Sequence, residues 1–115
     1  NYFEIPVVDL ERAIAFYRHV LGVELELTEI DGNEMALFPD AEGGPNGALA
    51  KGESYAPSLD GTRIYFAVAD IEGTLTRAVE RGGEVLYPTT AIGEHGFVAE
   101  FRDCEGNRIA LSAPA

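Results

Sequence analysis

The sequence predicts an α+β fold made of two tandem copies of one strand, helix, strand, strand, strand module, at about residues 1–51 and 62–115. Two observations carry this. The segment PVVDLERAIAFYRHVLGVELEL, Pro6 to Leu27, lines up with AVADIEGTLTRAVERGGEVLY, Ala67 to Tyr87, when Asp9 is laid on Asp70. Val7 then falls on Val68, Glu11 on Glu72 and Gly22 on Gly83. Each copy is also preceded by an apolar strand-like run, YFEIPV or RIYFAV, and followed by turn-punctuated strand candidates. At 115 residues, 46% of them apolar, the chain is long enough for one compact core and too short for two ordinary domains, so a single domain is expected.

The elements follow in order. Asp9 and Asp70 end the first strand of each copy where a helix needs a side-chain oxygen for the N–H groups of its first turn. Leu10, Ile14, Tyr17 and Leu21 then recur at helical spacing, as do Ile71, Leu75, Ala78 and Val79, which gives each helix an apolar stripe. Gly22 and the pair Gly82, Gly83 are placed to end the helices. Period-two alternation takes over at Val23, Leu25 and Leu27, and at Val85 and Tyr87, faces expected to pack on the helices. Asp31 to Asn33 and Cys104 to Asn107 read as tight hairpin turns, and Pro39 to Gly47 as a looser one. Gly52 to Gly61 joins the two halves, and the loop NGALAKGESYAPS, Asn46 to Ser58, reads as a plain linker or as a lid.

Twenty Asp and Glu against eight Lys and Arg give a net charge of −12. A nucleic-acid or anionic-membrane partner needs a basic footprint, which this balance argues against. No apolar run is long enough to span a membrane, no stretch reads as a signal peptide, and Cys104 is the sole cysteine, so no internal disulfide can form. A cytoplasmic location is expected.

The run VVDLERAIAFYRHVLG, Val7 to Gly22, together with the closing hairpin FRDCEGNRIALS, Phe101 to Ser112, strongly resembles the vicinal oxygen chelate superfamily of glyoxalases, bleomycin resistance proteins and dioxygenases. The likeness extends over almost the whole chain and is nearest to small bacterial proteins related to lactoylglutathione lyase. It implies a cup-shaped pseudo-barrel of two curved sheets with the helices outside. It also implies metal-ligand positions on the first and last strands of each module, which map here to Tyr2, Ala48, Arg63 and Ala110. Alanine has no donor atom, a neutral tyrosine is a poor ligand, and a guanidinium would repel the ion. No metal or other cofactor is therefore expected, unless ligands converge elsewhere.

Within that frame, strand alternation directs Tyr2 and Glu4, Arg63 and Tyr65, Val98, Glu100 and Arg102, and Glu34, Ala36 and Phe38 toward the cavity. Phe3, Ile5 and Val7, Ile64, Phe66 and Val68, and Phe97, Ala99 and Phe101 are directed toward the helices. Half-buried acids and arginines pair with each other or reach solvent in most proteins. Arg63 is the exception singled out here, since a fixed cation where a metal would otherwise sit can receive a carboxylate or enolate. Tyr65 and Tyr2 would flank it as donors and Glu100 could serve as a base. His95, in the loop AIGEHGF, either overhangs the cavity or is a solvated loop histidine. His19 is expected to be exposed at the end of its helix, and Cys104 is given no role because its acidic neighbours raise a thiol's pKa. The candidate ligand-binding set is thus Arg63, Tyr65, Tyr2, Glu100, His95 and Phe38, with no catalytic residue assigned.

Three functions stay open. One is a module that binds a small anionic or aromatic molecule without transforming it. Another is a lyase, isomerase or epimerase acting next to a carbonyl, with or without a divalent metal. The third is a subunit that serves association, and a homodimer is expected because exposed sheet edges need cover.

Overall fold

A computed structural model describes residues 1–39 and 45–115. The chain divides into two compact units, Asn1–Pro57 and Ser58–Ala115. The first holds β1 (Phe3–Pro6), α1 (Leu10–Leu21), β2 (Glu26–Ile30), β3 (Asn33–Leu37) and β4 (Gly47–Lys51). The second holds β5 (Tyr65–Ala67), α2 (Ile71–Glu80), β6 (Glu84–Ala91), a 3-10 turn (Gly93–His95), β7 (Phe97–Arg102) and β8 (Arg108–Ala113). Each unit has a four-stranded mixed sheet, in the orders β1-β4-β3-β2 and β5-β8-β7-β6, with the first pair parallel and the others antiparallel. The α+β class and the repeated strand and helix order are therefore those read from the sequence. The looser turn expected at Pro39 to Gly47 lies partly outside the described residues.

Both helices begin where a carboxylate meets their first free N–H groups. The Arg12 amide donates to Asp9 Oδ1 at 3.0 Å, and the Gly73 amide to Asp70 Oδ1 at 3.1 Å. Gly22 ends α1 in the left-handed region, φ 69°, and its N–H returns to the Arg18 carbonyl. Gly83 has a different reason to be glycine: its amide donates to the Ala78 carbonyl at 2.8 Å, and a Cβ there would lie 2.8 Å from the Arg102 carbonyl oxygen. His19 is half-buried in the last turn of α1, where full exposure was expected.

In the first unit α1 turns Leu10, Ala13, Ile14, Phe16, Tyr17 and Val20 inward. Tyr17 meets Phe38 edge-on, with ring centroids 5.8 Å apart, and Phe38 in turn packs on Phe3. This corrects the orientation expected for β3. The turn at Asp31 and Gly32, both at positive φ, places Ile30 opposite Asn33. From that start Met35 and Leu37 share a face with Ala48, Ala50 and Glu4, while Ala36 and Phe38 face the helix. Phe38 is core, only 4% exposed, and is removed from the candidate ligand set.

In the second unit Ala99, Phe101, Ile109 and Leu111 are buried on the helix side. Five apolar residues expected to pack between helix and sheet in the two units are instead open: Leu27 is 66% exposed, Val79 52%, Tyr87 43%, Phe97 40% and Val85 39%, and Tyr87 lies opposite Glu100 on the helix-free face. Leu27 lies on edge strand β2, whereas α1 packs over β3 and β4 and leaves that edge uncovered. Phe97 opens β7, where it lines a shallow hollow with Asp70, Ile71 and Pro114.

Candidate functional site

Each sheet has a helix-free face, and each face carries one carboxylate held by two longer side chains. In the second unit Glu100 pairs across the sheet with Ala110, and Ala110 with Tyr65, so the three share that face. Arg63, two residues before Tyr65, follows the same alternation. Its guanidinium donates to Glu100 Oε2 at 3.0 Å, while Arg108 donates to Oε1 at 2.6 Å. The side chain of Glu100 is 10% exposed, that of Arg108 28% and that of Arg63 43%. Arg108 spends a second N–H on the Leu59 carbonyl. Arg63 has no partner but Glu100 among the described residues, so most of its donors are left for a ligand.

Two fixed cations on one carboxylate leave this cluster with one positive charge in excess, inside a chain whose net charge is −12. Tyr65, 51% exposed, presents its ring and hydroxyl on the same face. Arg102 turns aside toward Glu84 Oε1 at 3.5 Å and the Asp103 carbonyl. His95 lies in the 3-10 turn, exposed, and no hydrogen bond or ion pair joins it to Arg63 or Glu100.

The first unit repeats the arrangement with phenols in place of arginines. Tyr2 donates to Glu4 Oε2 at 3.0 Å and Tyr55 to Oε1 at 2.6 Å, over the small residues Ala48 and Ala50 and beside Met35 and Leu37. The hydrogen bond to Glu4 holds the Tyr55 proton, with burial and the carboxylate charge adding to it, and the hydroxyl is pushed up to about 12. Tyr2 is raised as well, first by burial and then by its own bond to Glu4. Sequence reasoning gave Tyr55 no role. It comes from the joining segment, folded back by a turn between the Tyr55 amide and the Gly52 carbonyl, and only that bend brings it to Glu4.

The closing hairpin is built on Asp103. It is fully buried, and its Oδ1 accepts the amides of Glu105 and Asn107, both at 2.9 Å. Its Oδ2 accepts the Asn107 side chain at 3.0 Å. Cys104 is spent on the turn and on a weak donation to Glu105.

Residues 1–111 match the model of the Glyoxalase/Bleomycin resistance protein/Dioxygenase superfamily. The chain belongs to this superfamily. It is 29% identical to a glyoxylase-like domain-containing protein of Didymella fabae, a match that takes in 94% of this chain and 88% of the relative. Among solved structures, a glyoxalase family protein from Bacillus cereus superposes with a TM-score of 0.77 at 20% identity, covering 99% of this chain and 92% of that one. An antibiotic-binding protein from a Streptomyces strain superposes with a TM-score of 0.74 at 24% identity, covering 99% and 93%. These two likenesses concern the fold.

The positions that the superfamily resemblance assigns to metal ligands carry the wrong chemistry for a divalent ion. Ala48 and Ala110 offer methyl groups, the Tyr2 hydroxyl is bonded to Glu4, and Arg63 is a permanent cation. Among the described residues no group of three or more His, Cys, Asp or Glu is placed to hold one.

Proposed function

We propose that this superfamily member binds a small anionic, partly aromatic molecule on the helix-free face of its second sheet, with Arg63 as the primary anchor. The observation that carries the reading is the excess positive charge where Arg63 and Arg108 share Glu100, with Arg63 the more exposed of the two. A carboxylate arriving there meets free N–H donors already oriented by an ion pair. Tyr65 supplies an aromatic surface beside them. Binding without turnover is favoured over catalysis because Glu100, the one candidate base, already has both oxygens taken by guanidinium groups, and His95 stands apart from it. The antibiotic-binding neighbour of the same fold supports such a role.

Calorimetric titration with 4-hydroxybenzoate and with its methyl ester tests the reading. The anion should bind and raise the thermal midpoint, and the ester should not. Arg63→Ala should weaken the anion by about tenfold or more, the worth of a charge-assisted hydrogen bond. Equal binding of the ester, or an unaffected Arg63→Ala, would rule the anchor out.

A further inference from the structure

On the helix side of the second unit, α2 and β6 enclose a groove of about 470 Å³ lined by Leu75, Val79, Val85 and Pro88, with Glu72 and Glu80 among its polar residues. That volume lies within the range of small-ligand pockets. We propose that the groove is a second binding site, independent of Arg63, for a small lipophilic organic cation such as an aryl-substituted quaternary ammonium.

Leu75 forms a buried floor, 5% exposed, while Val79 at 52% and Val85 at 39% leave apolar wall open to solvent. Every charged side chain in the lining is a carboxylate. The Thr89 hydroxyl donates to Glu72 Oε2 at 3.0 Å, which orients that acid and leaves its other oxygen without a partner among the described residues. A neutral apolar occupant would use the walls but desolvate the open oxygen of Glu72 without return, and an anion would be repelled. A cation on an apolar body satisfies both surfaces. The volume suits one small molecule better than a helix laid along the surface. Glu100 and Arg63 belong to the other face of the sheet, so the two sites can be tested apart.

The experiment is amide NMR and calorimetry with benzyltrimethylammonium, alongside benzenesulfonate as the anionic counterpart and tetramethylammonium as the ring-free one. Saturable binding of benzyltrimethylammonium is expected, with shifts centred on Leu75, Val79, Val85 and Thr89. The other two probes should bind more weakly. Glu72→Gln should weaken the cation by about twofold, as one screened charge contact would. Val79→Lys, at an exposed position, should abolish binding with the circular dichroism unchanged, and Arg63→Ala should have no effect. Shifts centred elsewhere, no saturation, equal binding of benzenesulfonate, or loss on Arg63→Ala would each overturn the site. So would a basic amphipathic peptide that occupies the groove when the small cation does not.

Discussion

At Glu100 one carboxylate serves two guanidinium groups, and the side chain is nearly buried while Arg63 reaches solvent. Removing the charge leaves two cations facing each other on one sheet face. Glu100→Gln should therefore lower stability by about 1–2 kcal/mol in chemical denaturation, well below the cost of breaking a fully buried pair because solvent screens Arg63. Glu4 and its two phenols respond differently, because here a proton is at stake. Tyr55 ordinarily titrates near 10 and is held to about 12 in the folded chain. Its folded value is the higher, so the stabilisation is fully present below about pH 10 and is lost as pH rises through about 12. Ultraviolet titration of the phenolate should show a step near 12 that disappears in Tyr55→Phe and moves down in Glu4→Gln. An unshifted step in Glu4→Gln would mean that the carboxylate is not its cause.

The elements are set by short-range chemistry at their ends. Asp9 and Asp70 each accept an amide of the first helical turn, so Asp9→Ala and Asp70→Ala should each cost about 1 kcal/mol, measurable as a fall in denaturation midpoint at unchanged slope. These caps, the helical stripes and the closing glycines were legible because their signals sit within a few residues of one another. The facing of β3 was not. Strand alternation in the sequence put Phe38 on the ligand side, whereas the two-residue turn at Asp31 and Gly32 sets the register and turns Phe38 onto Tyr17. Leu27 and Val79 obey the expected periodicity and are still exposed, because a period tells which face a residue takes and not whether another element covers that face.

For the molecule as a whole, charge is distributed unevenly. The first unit carries eleven acids against three Lys and Arg, the second nine against five. Self-repulsion at −12 should make the thermal midpoint rise between low and physiological ionic strength, since screening relieves repulsion between exposed acids more than it weakens the few exposed pairs. A midpoint that falls with salt would show that attractive pairs dominate. None of the helices of the described residues is long and apolar enough to cross a membrane. The sequence by itself determined the repeated module, the helix caps, the superfamily and Arg63 as a cation in a position where relatives were expected to place a ligand. Such features depend on residue identity and local spacing, and local spacing survives in a one-dimensional string. The tertiary structure alone decided that Arg63 and Arg108 share Glu100, that Tyr55 bends back to Glu4, that Phe38 is core and that a groove opens beside α2. Each depends on strand register or on a loop's path, where residues far apart in the chain meet and a shift of one position reverses which side chains do so.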